Sequence, residues 1–146
     1  MALNVVRAAP AFFTDKIREV RKTHPLAKTA NHTNELIKHM QTMSPLDAIE
    51  FNRMANVACK QNNEDKADKF PSAGGNKAKF LALCEEEIPC EEYTMANYPQ
   101  NTGAEFVALA LILNWSRPSK QSPILSTEVK SVGINVMPHK QTINLI

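Results

Sequence analysis

Asn101 to Trp115 reads NTGAEFVALALILNW. Every residue from Phe106 to Leu113 is apolar, so a helix here has no polar face and must be buried all round. Thr102 and Glu105 stand in the T-x-x-E pattern of a capping box, which satisfies two orphan backbone donors at a helix start. Pro118 forbids continuation past Trp115. The run is too short to span a bilayer, which takes roughly 20 apolar residues. It reads as the central core helix, with the other helices packed round it.

The chain has 146 residues, 43% of them hydrophobic and 22% charged. That fits one folded globular domain over residues 1–146. Three cysteines, an odd number, argue against a disulfide framework and for a reducing compartment. The short patch Ala2–Val6 with the lone charge Arg7 does not make a signal peptide. The expected place is therefore the cytoplasm, with no membrane partner. Twelve lysines against five arginines suit an AT-rich coding source such as a bacterial or phage genome.

The net charge of +2 is unevenly spread. Residues 1–43 carry seven Lys/Arg against three Asp/Glu, whereas residues 44–104 carry six against ten. Two solvated regions explain this, since no segment is densely charged. The sharper alternative is a polyanion contacting the basic part.

Outward from the central run, Pro10 opens a helix to about Thr23, with Phe13, Ile17 and Val20 as its apolar stripe. Before it, Leu3 and Val5 alternate weakly and suggest a short N-terminal strand. Thr33 caps a helix to about Met43. Ser44-Pro45 then carries the signature of a third helix start, with Asp47 three residues past the cap. Leu46, Ile49, Phe51 and Met54 would share its apolar face, with Glu50 among them. A flexible polar loop is expected near residues 61–76, its first part extending helix three. Asn76 caps a short helix over Lys77–Glu86, whose charges oppose the helix dipole. Ile88 to Gln100 reads as irregular chain. After Ser126 the period changes to two: Val132, Ile134 and Val136, then Ile143 and Leu145, form a β-hairpin with one apolar face. The fold expected is α+β: about five helices round the buried central one, and a C-terminal hairpin laid on them.

No arrangement of residues announces chemistry. His32 and His39 are seven apart, not the i, i+4 of a helical metal pair. Cys84 and Cys90 lie outside zinc-knuckle spacing. Gly74-Gly75 followed by Lys77 lacks the spacing of a phosphate loop. Glu50 among apolar neighbours is the kind of carboxylate acid–base chemistry uses, but Arg53 at i+3 offers it a surface pairing instead. Leu36 to Met54 has the outline of a helix-turn-helix, yet Asp47 and Glu50 would face phosphate. No catalytic, cofactor-binding or metal-binding residues are assigned.

The first expectation is a small non-enzymatic binding protein, an accessory factor that contacts another protein or a second copy of itself. Its docking edge would be the last strand, Thr142, Ile143, Asn144, Leu145 and Ile146, which lacks the charge, proline or bulge that blunts edges. The second is nucleic-acid binding through the basic first helix: Arg18, Arg21, Lys22 and Lys28. The third is an enzyme of unstated class.

Overall fold

The computed structural model describes residues 1–23, 31–65, 75–84, 89–96, 103–116, 122–137 and 140–145. The chain is α+β and mainly helical. In order come α1 (Ala2–Ala8), a 3₁₀ turn at Pro10–Phe13, α2 (Thr14–Thr23), α3 (Thr33–Thr42), β1 (Glu50–Phe51) and α4 (Arg53–Asp65). They are followed by α5 (Gly75–Cys84), β2 (Glu91–Ala96), α6 (Ala104–Asn114), a 3₁₀ turn at Pro123–Leu125, β3 (Ser131–Met137) and β4 (Lys140–Leu145). Among the described residues, no helix is long and apolar enough to cross a membrane.

These elements gather into two compact units. One is Met1–Ala48 with Asn101–Glu128; the other is Ile49–Gln100 with Val129–Ile146. In the first unit α6 is the core. Ala108 to Leu113 are all buried, as an all-apolar helix requires. α1 and α2 pack on it, and α3 packs on α2. Gly103 stands at the N-cap, Glu105 is ion-paired with Lys16, and the expected cap Thr102 lies outside the described residues. Phe13, Ile17 and Val20 are buried, as their spacing predicts. Leu109→Ala should cost about 2–5 kcal/mol, the range for truncating a leucine in a packed core. The loss is measurable by urea denaturation followed through Trp115, the single tryptophan, which is buried at the end of α6.

Three expectations about the first half are corrected. Ala2–Ala8 is a helix, not a strand: Leu3, Val6 and Arg7 are the buried residues, at the i, i+3, i+4 spacing of a helical face. Ser44-Pro45 starts no helix. The Leu46 N–H donates to the Arg7 carbonyl at 2.9 Å, and the Asp47 carbonyl accepts from Arg7 Nε at 2.9 Å. The segment has no regular secondary structure, and the third helix begins at Arg53, where Asn52 caps it through Oδ1 to the Ala55 N–H at 2.9 Å. The helix-turn-helix outline goes with it. α4 then runs through Asp65, so the expected loop starts no earlier than residue 66; residues 66–74 lie outside the described residues.

The second unit is a four-stranded sheet in the order β1-β3-β4-β2, with α4 and α5 packed together beside it. The hairpin β3–β4 is antiparallel, with Val132 opposite Leu145 and Ile134 opposite Ile143. β2, expected to be irregular chain, pairs antiparallel with β4 along its whole length. β1 adds on the far side, parallel to β3.

Candidate functional site

The faces of this sheet follow from its register. Gly133 meets α4 so closely that a Cβ there would lie 2.5 Å from the Ala55 Cβ and nearer still to the Ala55 and Asn56 backbone. Asn135 accepts a 2.8 Å hydrogen bond from Asn63 Nδ2, also on α4. Residues 133 and 135 therefore share the α4 face. Alternation puts Val132 and Ile134 on the other face, and Phe51, paired with Val132, goes with them. The helix thus lies on the face carrying serine, glycine and asparagine, where small residues let Ala55 and Cys59 come close. The apolar row of the hairpin faces away from α4. The hairpin does lie on a helix, as expected, but by its small-residue face. Along that row Val132 is buried, Ile134 half-buried and Phe51 66% exposed.

β1 is an outer strand. The Glu50 N–H donates to the Lys130 carbonyl at 2.9 Å, and the Asn52 N–H to the Val132 carbonyl at 2.8 Å. Residues alternate along a strand, so the Phe51 N–H and C=O point away from β3. Glu50, Phe51 and Arg53 are all exposed, and among the described residues neither Glu50 nor Arg53 makes an ion pair. Glu50 is thus a strand residue at an edge, not a carboxylate buried on a helix.

The edge expected at Thr142, Ile143, Asn144 and Leu145 does not exist. Each of these residues is registered to β3 on one side and β2 on the other, so β4 is an inner strand; Ile146 lies outside the described residues. The reason is β2, which the prolines at 89 and 99 masked as loop. Arg18, Arg21 and Lys22 share one flank of α2 at i, i+3 and i+4: Arg18 is ion-paired with Asp15, while Arg21 and Lys22 are exposed near its end; Lys28 lies outside the described residues. His32 sits 3.7 Å from Glu35 at the start of α3, and His39 lies farther along the same helix. Among the described residues no group of three or more His, Cys, Asp or Glu is placed to hold a metal ion.

Arg7 and Asn62 are among the buried polar groups that the sequence pattern does not disclose. Arg7 is 1% exposed and donates Nε to the Asp47 carbonyl and Nη1 to the carbonyls of Ile124 and Ser126. Burial lowers its pKa, and the nearby Asp47 charge acts in the opposite direction. Asn62, fully buried on α4, has no hydrogen-bond partner for its side-chain amide among the described residues. Both share a helical face with buried apolar residues, Arg7 with Leu3 and Val6 and Asn62 with Ala58 and Cys59, but a polar side chain breaks the apolar pattern that would mark the face.

Searches against known proteins decide nothing here. No family model, no curated protein and no solved structure matches this chain.

Proposed function

We propose that this chain is a non-enzymatic binding protein that acts by contact with another protein chain, through the sheet of its second unit. The observation that supports this reading is Phe51. A large aromatic side chain stands 66% exposed on an outer strand, beside buried Val132 and on the sheet face away from α4. Exposed aromatic groups of this kind anchor protein interfaces, because they bury much apolar area at little entropic cost. The test is to place a photo-crosslinking phenylalanine analogue at position 51 and irradiate in the native host. A covalent adduct with a protein chain is expected, and the same probe at exposed Lys60 on α4 should give none. Equal labelling from both positions, or none from either, removes the reading.

A second reading is nucleic-acid binding, favoured by Arg21 and Lys22, which are exposed and form no ion pair among the described residues. Changing Arg18, Arg21 and Lys22 together to Gln should abolish any salt-sensitive gel shift, since each phosphate contact adds to the salt slope. A wild-type chain that shifts neither DNA nor RNA at low salt ends this reading.

A further inference from the structure

We propose that the occupant of the β1 edge is a second copy of this chain, joined antiparallel across a two-fold axis at Phe51. This rests on the protein-contact reading and names its partner. β1 has only two residues, and only Phe51 turns its N–H and C=O outward. A long foreign strand would find a single residue to pair with. An identical edge turned by two-fold rotation offers the complementary acceptor and donor at the same place, giving two reciprocal hydrogen bonds between the two Phe51 backbones. In such a hydrogen-bonded pair the two Cα atoms lie about 5.5 Å apart and both side chains share one face. The two exposed Phe51 rings then cover each other.

Charge points the same way. Glu50 and Arg53, three residues apart, are exposed and opposite in sign, and neither has an ion-pair partner among the described residues. Antiparallel two-fold pairing at Phe51 sets residue 50 of one copy opposite residue 52 of the other, one step from its Arg53. Each Glu50 then approaches the other copy's Arg53, and the same pairing is made twice. A parallel arrangement would bring Glu50 against Glu50. α4 does not obstruct this, because from Arg53 it runs over β3 and β4, away from the β1 edge. The contact is small, so the expected dimer is weak and reversible, with dissociation at about 0.1–1 mM.

Sedimentation of the full chain over a range of concentrations tests this. Wild type should pass from monomer to dimer, and Phe51→Asp should weaken the dimer by about tenfold or more. Phe51 is exposed and Arg53 opens α4, where Arg53→Glu suits the helix dipole, so neither change should unfold the chain; circular dichroism checks this. Glu50→Arg alone and Arg53→Glu alone should each lose the dimer, and an equimolar mixture of the two variants should regain it as a heterodimer. Wild type that stays monomeric throughout, a dimer indifferent to Phe51→Asp, or a mixture no better than its components overturns the proposal. If wild type is monomeric while the probe at position 51 still captures a foreign protein, only the self-pairing falls. If it captures nothing, the protein-contact reading falls too.

Discussion

Replacing Gly133 by alanine should destabilise the protein by about 3 kcal/mol, and by valine still more. The added Cβ would lie 2.5 Å from the Ala55 Cβ and closer to the backbone of Ala55 and Asn56. Backbone atoms in a helix cannot swing aside as the end of a lysine can. α4 must instead lift off β3, which breaks the packing of Ala55 and Cys59 and stretches the Asn63–Asn135 hydrogen bond. Gly103→Ala is the control. Nothing lies within 4 Å of a Cβ at that position, and it should change stability by less than about 1 kcal/mol. Urea denaturation followed by circular dichroism compares the two. A Gly133→Ala protein within about 1 kcal/mol of wild type would show that α4 is not seated on the glycine and that the assignment of sheet faces is wrong.

That assignment also marks how far the sequence could be read. The α6 run, the Phe13–Ile17–Val20 stripe and the alternation at Val132–Val136 were all legible, because each is a local pattern with one physical meaning. Which face of the hairpin meets a helix is not local. Alternation alone says that the apolar row should be covered, and α4 instead fits the small-residue face, where Gly133 admits it. β2 was missed for a related reason. Glu91-Glu92 and the flanking prolines suggest loop, and only the strand that β4 offers beside it makes Tyr93 and Thr94 behave as strand residues. The docking edge assigned to the last strand failed with it, since that edge is free only if β2 is not a strand. Phe51 cannot be singled out from sequence, because Ser44-Pro45 carries a helix-start signature that would bury it on an apolar face.

The false helix start leads back to Arg7, whose replacement by alanine should cost about 4 kcal/mol. Its Nε and Nη1 bind carbonyls at Asp47, Ile124 and Ser126, positions 40 to 119 residues away, and its own carbonyl takes the Leu46 N–H. Truncation leaves three carbonyls facing a cavity, at roughly 1–3 kcal/mol for a group left unsatisfied, offset in part where water enters. The charge alone is not what matters. Arg7→Lys keeps it, but an ammonium is a single point and cannot reach Asp47 on one side and Ile124 with Ser126 on the other, so it should still lose about 2 kcal/mol. Arg7→Met separates the remaining possibilities, because it fills most of the volume without any donor. Loss of the carbonyl contacts predicts that methionine is little better than alanine, whereas a pure cavity effect predicts that it recovers most of the stability. Trp115 fluorescence in urea reads all three variants within the same unit of the chain. Should methionine match wild type, the guanidinium is a passenger, and the non-helical path of residues 43–49 must be held by something other than Arg7.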